Sequence, residues 1–229
     1  RDPINIRKLD QENVAGRFVV NWKATEDVLA YASVSRGYKS GAFPVVAANV
    51  VTQLEPARQE KVTAYEVGTK AGLLDGRLQA NLAGFFYDYR DKQVFGEILD
   101  PIFVSLTRIV NVPKSEVYGL EADLNLQATR ELSLRVNGSY THTEVTKFIG
   151  FNRFGQAEDF KGSAFPYTPR WQLNGSASYD LPVGDDLGLR FDTNVSYQGR
   201  TDGALGGDPE FNVDAYTIVN ANVTLHALD

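Results

Sequence analysis

The sequence contains no cysteine and no methionine among its 229 residues, and it has only two histidines. Without cysteine, the chain can form neither a disulfide framework nor a zinc–thiolate site, and it has no cysteine nucleophile. A complete translation product begins with methionine, so the chain is interpreted as a processed or excised piece of a longer protein. His142 and His226 have no neighbouring ligand cluster in the sequence, so we expect no metal site and no enzymatic activity.

Long hydrophobic runs and an excess of basic residues are also missing. No stretch approaches the 18 consecutive apolar residues of a transmembrane helix, although alternating membrane-spanning β-strands remain compatible with the composition. Lys and Arg together number 23 against 29 Asp and Glu, which gives a net charge of −6. Nucleic-acid-binding proteins normally carry a basic patch, so we expect no nucleic-acid partner.

The sequence alternates between apolar and polar residues with a period of two. Between Leu132 and Tyr140 every second residue is apolar or glycine and the residues between them are polar. Such alternation is typical of β-strands with one apolar and one polar face. We predict about nine strands, at 14–23, 28–39, 60–71, 77–90, 117–127, 132–147, 171–179, 187–198 and 219–225. In the fourth strand, Phe85, Tyr87 and Tyr89 lie opposite the apolar stripe, which either a bulge or aromatic contacts on the polar face would explain.

The predicted connections alternate in length along the chain. Short turns near 24–27, 73–76, 127–131 and 182–186 separate longer segments at 40–59, 91–106, 149–166 and 200–214. The stretches 117–127 and 132–147 exceed the roughly 5–6 residues of an average strand and suffice to span a bilayer. The pattern predicts an all-β fold, an antiparallel meander of long hairpins that forms an incomplete segment of a large transmembrane β-barrel.

Several segments resemble the barrel strands of TonB-dependent outer-membrane receptors. They are LAYASVSRGYKSG at 29–41, LEP at 54–56, YEVGTK at 65–70, NLAGFFYDYRD at 81–91, and Asn111 followed by YGLE at 118–121. Their order and spacing cover about residues 14–145, and the remainder matches in the rhythm of its hairpins. The resemblance implies a receptor in the bacterial outer membrane, in contact with its lipid, that imports a scarce nutrient without a cofactor.

The resemblance also implies partners. The commonest nutrient of the family is a ferric siderophore, and corrinoids of the vitamin B12 type and plant-derived saccharides remain open as alternatives. The TonB–ExbB–ExbD complex supplies energy through an N-terminal plug domain. Residues 1–229 are interpreted as a partial barrel without the plug and the closing strands, because barrels of this type close with about 22 strands. Two alternatives remain open, namely a passive porin-like or autotransporter barrel and a soluble β-sandwich carbohydrate-binding module.

Strand parity assigns side chains to the two faces of the predicted sheet. An Arg or Lys at mid-bilayer costs about 2–4 kcal/mol on the lipid face, so charged positions are assigned to the lumen or the plug. These lumen residues are Glu66, Lys70, Glu121, Asp123, Arg135, Arg190 and Asp192. The residues predicted to face lipid are Leu120, Leu124, Leu132, Leu134, Val136, Leu189, Phe191 and Val195.

The long connections supply the candidates for ligand binding. Arginine suits anionic ligand oxygens, and aromatic faces add stacking or cation–π contacts. On this basis we predict ligand contacts for Phe43, Phe151, Arg153, Phe154 and Arg200. The acidic residues Asp202, Asp208, Glu210 and Asp214 could bind calcium, but a solvated acidic loop is the preferred interpretation, and no metal site is assigned.

Overall fold

The computed structural model describes residues 9–44 and 48–227, and all strands in that part belong to one β-sheet. The strands are β1 (Gly16–Lys23), β2 (Val28–Lys39), β3 (Glu60–Leu73), β4 (Leu78–Asp100), β5 (Val104–Gln127), β6 (Leu132–Lys147), β7 (Ile149–Phe151), β8 (Ala157–Asp159), β9 (Trp171–Val183), β10 (Leu187–Gln198) and β11 (Tyr216–Ala227). Short 3₁₀ helices occupy Val51–Leu54 and Pro209–Phe211. Within the described residues, no helix has the length and apolar character needed to cross a membrane.

Nine of the strands form a continuous path through the sheet. Their order is β1-β2-β3-β4-β5-β6-β9-β10-β11, and every neighbouring pair is antiparallel. The short strands β7 and β8 form a small hairpin within the connection between β6 and β9. The predicted all-β meander of long hairpins is therefore confirmed, as an open sheet of the kind that a partial barrel contains.

The register aligns the apolar residues of neighbouring strands on one face. Leu120 lies opposite Tyr140, and Val195 lies opposite Val219. This apolar face is uncovered, since Leu120 is 64% exposed and Val219 is also 64% exposed. A soluble β-sandwich would bury such a face under a second sheet. The described residues form a single sheet, so the β-sandwich alternative is wrong.

The hairpin formed by β4 and β5 is much longer than the sequence pattern indicated. Its strands contain 23 and 24 residues, and they remain paired up to Asp100 and Val104. The long connection predicted at 91–106 is therefore wrong, because the chain reverses only at 101–103. Proline, glycine and charged residues in this segment suggested a loop, but pairing with a neighbouring strand outweighs those local preferences.

Pairing in this hairpin is interrupted at one place. The register passes from Arg90 opposite Lys114 to Lys92 opposite Val112, so that Asp91 and Pro113 are both left out. Proline has no amide hydrogen to donate, and Asp91 adopts a φ of 52°. Lys92 contacts the ring of Tyr89 and Val112 packs with Val117, although regular alternation would place each pair on opposite faces. The two strands therefore keep their register and exchange their faces at this level.

The three aromatic residues on the polar face of β4 lie in a regular strand. From Leu78 to Arg90, β4 pairs with both neighbours without a shift, so no bulge displaces Phe85, Tyr87 or Tyr89. Their rings pack against a small buried cluster on the polar face, which we call the loop-side core. Its members are Val112, Val117, Val145, Phe160 and Phe165. Of the two explanations left open above, aromatic contacts on the polar face are correct.

The connection between β6 and β9 folds back across the sheet. Phe151 in β7 pairs with Glu97 in β4, although β5 separates β4 from β6. The chain that follows β6 must therefore cross over β5. Phe148 and Phe160 stack at 5.5 Å along this crossing and pack at the loop-side core, which places the crossing on the polar face. The crossing segment covers the end of the sheet where the long connections lie.

Candidate ligand-binding site

A cavity of about 900 Å³ lies between the β4–β5 hairpin and the two connections that follow β6 and β10. We call it the loop cavity. This volume is within the range of about 300–1,000 Å³ that is usual for small-molecule sites. Eight aromatic residues line it, namely Phe95, Phe148, Phe151, Phe154, Phe160, Phe165, Tyr167 and Phe211. Its charged lining residues are Lys92, Glu97, Arg153, Glu158 and Asp208.

Three of the five loop residues selected from the sequence come together in this cavity. Phe151, Arg153 and Phe154 line it, whereas Phe43 and Arg200 do not. Phe43 is 41% exposed in the connection between β2 and β3. Arg200 follows β10. Its guanidinium donates to the side-chain oxygen of Asn212, in the amide orientation that satisfies both polar atoms of that side chain. Ligand contact remains a prediction for all five.

Arg153 joins the two connections that enclose the cavity. Its Nη1 atom donates to Glu210 Oε2 at 2.6 Å, and its Nε atom lies 3.2 Å from Asp208 Oδ2. The guanidinium also lies 4.8 Å from the ring centroid of Phe154 and 5.9 Å from that of Phe211. The hydrogen bond from Arg153 lowers the pKa of Glu210, and the same bond raises the pKa of Arg153. We call this arrangement the Arg153 clasp.

Two of the acidic residues near the cavity, Asp208 and Glu210, are engaged by Arg153. Asp208 accepts a hydrogen bond from the Glu210 amide at 3.1 Å and lies beside Arg153. Within residues 9–44 and 48–227, no group of three or more histidine or carboxylate side chains is placed to hold a metal ion. Sequence reasoning did not find the clasp, because its partners are far apart in the chain and no local pattern links them.

A second polar network fixes the connection between β2 and β3. Gln53 Nε2 donates to Asp100 Oδ2 at 2.8 Å and to the Leu99 carbonyl at 3.1 Å. Asp100 Oδ1 accepts from the backbone amides of Ile102 and Phe103 at 2.8 and 2.7 Å. Burial alone raises the pKa of Asp100, but hydrogen bonds from Asn49, the backbone and Gln53 lower it to about 2. The network holds this connection against the tip of the β4–β5 hairpin.

All seven residues assigned to the lumen lie on the polar face of the sheet, since they alternate with the apolar residues of their strands. Several have local partners there. Glu66 accepts a hydrogen bond from Tyr31 at 2.7 Å. Asp123 accepts one from Asn125 at 2.7 Å, and Arg190 donates to Asp180 at 2.7 Å. Contact of these charges with a plug remains a prediction.

The eight residues assigned to lipid all lie on the apolar face, which has a sharp boundary toward the long connections. Along β5 the apolar stripe runs from Leu126 to Tyr118, close to the 9–11 residues of a membrane-spanning strand. Directly beyond it, Lys114 pairs with Glu116 at 3.0 Å. On β4, Arg90 pairs with Asp88 at 3.2 Å at the same level. Lipid contact itself remains a prediction.

The fold and the site define a class of protein. An antiparallel sheet with one apolar face, short turns at one end and a loop-covered cavity at the other has the features of an outer-membrane barrel segment. The chain belongs to the family described as TonB dependent receptor-like, beta-barrel, whose profile matches residues 3–226. The resemblance seen in the sequence is thereby confirmed.

Two curated proteins with similar sequences support the same family. The chain is 27% identical over 210 residues to the metal-pseudopaline receptor CntO of Pseudomonas aeruginosa, covering 92% of this chain and 27% of the receptor. It is 25% identical over 164 residues to the iron-regulated outer membrane virulence protein of Vibrio cholerae, covering 66% of this chain and 23% of that protein. The chain therefore spans about a quarter of the length of the curated relatives that it matches.

The fold is similar to that of a solved receptor. The ferric yersiniabactin uptake receptor FyuA from Yersinia pestis superposes with a TM-score of 0.70, over 91% of this chain and 29% of the receptor. At 20% sequence identity this similarity shows the fold alone.

Proposed function

We propose that the chain is part of an outer-membrane receptor that imports a chelated metal, with a ferric siderophore as the favoured ligand class. The observation that carries the proposal is the aromatic loop cavity at the end of the sheet beyond the apolar stripe. The names of CntO and FyuA describe receptors for a metal–pseudopaline complex and for ferric yersiniabactin. In this proposal the apolar face contacts lipid and the long connections face the outside of the cell.

The energy source is part of the same proposal. Family membership supports uptake that is driven by TonB–ExbB–ExbD through a plug enclosed by the barrel. The polar face, with Glu66, Arg135 and Asp192 among its charges, would then line the space that the plug occupies. A passive pore would instead let solute through without an energy source.

The experiment is an uptake assay with the parent receptor in cells that lack other receptors for the same chelate. Radioactive iron offered as ferric siderophore should enter cells with the wild-type receptor, and deletion of TonB should abolish entry. Phe154→Ala should lower uptake because it removes a ring from the cavity. Phe103→Ala is the matched control, since Phe103 is 65% exposed at the hairpin tip and does not line the cavity. TonB-independent uptake would contradict energised transport, and equal loss in both variants would contradict binding in the cavity.

A further inference from the structure

Lys92 occupies an unusual position in the loop cavity. It lies in β4 directly after Asp91, and its side chain is only 19% exposed. Its Nζ atom is 4.2 Å from the ring centroid of Tyr89 and 4.7 Å from that of Phe165. Aromatic faces attract an ammonium ion through their quadrupoles, so the two rings stabilise the charge away from bulk water. The rings hold the ammonium in place without accepting conventional hydrogen bonds.

The ammonium of Lys92 has unused hydrogen-bonding capacity. An ammonium has three donor hydrogens. The nearest carboxylate, Glu60, has its Oε1 atom 4.0 Å from Nζ, which is beyond hydrogen-bonding distance. The other oxygen of Glu60 accepts from the Gln93 amide at 2.8 Å. Within the described part of the chain, Nζ therefore forms no hydrogen bond, and Lys92 is one of the residues that line the cavity.

Two other charged groups of the cavity, Arg153 and Glu97, already have hydrogen-bonding partners. Arg153 is held by Asp208 and Glu210 in the clasp. Glu97 accepts a hydrogen bond from the Thr107 hydroxyl at 2.6 Å. Of the two cations that line the cavity, Lys92 is thus the one that is not hydrogen-bonded to a carboxylate.

We propose that Lys92 is the specificity-determining residue by which the loop cavity selects anionic, oxygen-coordinated metal chelates over neutral ones. The ammonium donates to a carboxylate, phenolate or catecholate oxygen at the surface of the chelate, while the surrounding rings contact its apolar parts. The inference rests on the proposed function, because it names the ligand charge that this cavity recognises. A charged hydrogen bond of this kind changes affinity by about 10- to 100-fold.

The test measures binding of two ferric chelates of different charge to the full-length parent receptor in detergent. The probes are a trianionic ferric tris-catecholate and a neutral ferric tris-hydroxamate, followed by fluorescence quenching. Lys92→Met keeps an unbranched side chain between the rings and removes the charge. It should weaken binding of the tris-catecholate by about 10- to 100-fold and leave binding of the hydroxamate within about twofold. Lys92→Arg should restore most of the affinity, since it returns a cationic donor.

Two further variants sharpen the test. Lys161→Met removes a lysine that is exposed on the segment between β8 and β9 and lies outside the cavity lining, so it should leave both affinities unchanged. Glu60→Gln removes the negative charge nearest to the Lys92 ammonium, while its side-chain oxygen can still accept from the Gln93 amide. It should strengthen binding of the tris-catecholate several-fold, and it decides the question should Lys92→Met fail to assemble.

The outcomes separate this inference from the proposed function. Equal tris-catecholate affinity in the wild-type receptor and in Lys92→Met would overturn the role of Lys92 and leave the receptor function standing. Unchanged or weakened binding in Glu60→Gln would overturn that role as well. A wild-type receptor that binds only the neutral chelate would contradict the preference for anions. A wild-type receptor that binds neither chelate would contradict the proposed function itself.

Discussion

Arg153 and Glu210, which lie 57 positions apart in the sequence, are joined by a hydrogen bond of 2.6 Å between guanidinium Nη1 and carboxylate Oε2. The bond connects the segment after β6 with the segment after β10, and both segments line the loop cavity. The side chains of the pair are 36% and 68% exposed, so solvent and salt screen the attraction. We therefore expect the clasp to hold the two loop segments together and to contribute little to the stability of the sheet.

Loss of the clasp should loosen both connections. In Arg153→Ala we expect faster cleavage by an external protease within residues 148–170 and 199–215, together with lower ligand uptake. The yield of assembled receptor should not change, because no strand pairing depends on this side chain. Arg130→Ala, which removes an exposed arginine from a short turn at the opposite end of the sheet, is the matched control. Unchanged cleavage and unchanged uptake in Arg153→Ala would remove Arg153 from both roles.

The clasp should open in acid. Because Arg153 lowers the pKa of Glu210 below the ordinary value of 4.5, the interaction is fully present above that value and is lost as the pH falls through the lowered pKa. Spin labels on Gln156→Cys and Asn212→Cys should report a wider and broader distance distribution when the receptor is taken from neutral pH to below the lowered pKa. Glu210→Gln has no carboxyl group to titrate at this position, so the same labels in this variant should not show the acid transition of the parent. An identical transition would refute its assignment to Glu210.

Gly68 should not tolerate a side chain. It lies opposite Tyr31, and a Cβ atom at this position would approach two ring carbons and the hydroxyl oxygen of that tyrosine to 2.6 Å. Gly68→Ala should displace the ring, break the hydrogen bond from Tyr31 to Glu66 and destabilise the barrel by about 1–3 kcal/mol. Gly72→Ala in the same strand is the control, because a Cβ atom there meets nothing within 4 Å. Thermal unfolding of the parent receptor measures both, and equal unfolding temperatures would contradict the steric argument.

Neighbouring residues in β5 should report different surroundings. Leu120 is on the apolar face and Glu121 is on the polar face. The chain has no cysteine of its own, so single spin labels can be placed at Leu120→Cys and Glu121→Cys. In lipid bilayers, the first label should be more accessible to oxygen and the second to a water-soluble nickel complex. The reverse order would show that the faces are assigned the wrong way round.

The strands and their faces could be predicted from the sequence, because parity of side chains is a local property. The alternation at 132–140 predicts which residues of β6 lie together, and the structure shows them on one face. The extension of β4 and β5 could not be predicted in this way. Pro113 and Asp91 resemble loop residues locally, whereas the pairing that keeps the strands together beyond them depends on the partner strand.

The candidate site was predictable only in part, for a similar reason. Phe151, Arg153 and Phe154 are recognisable as aromatic and cationic residues in a long connection. Their placement depends on the crossing that carries β7 to the edge of β4, which no short-range pattern encodes. The sequence pattern places Lys92 in the long connection predicted at 91–106, and Phe165, one of its two ring neighbours, comes from a distant part of the chain.

The change of faces at Asp91 and Pro113 has a consequence for the packing of the hairpin. Below this level, alternate side chains of β4 and β5 lie on the apolar face and on the polar face of the sheet. Above it, Lys92 and Val112 lie on the polar face, where the alternation of the lower part would not place them. Because both strands change phase at the same level, the hairpin keeps its strand pairing while its faces exchange. The loop-side core is therefore built from both sides of this level, since Val112 above it packs with Val117 below it.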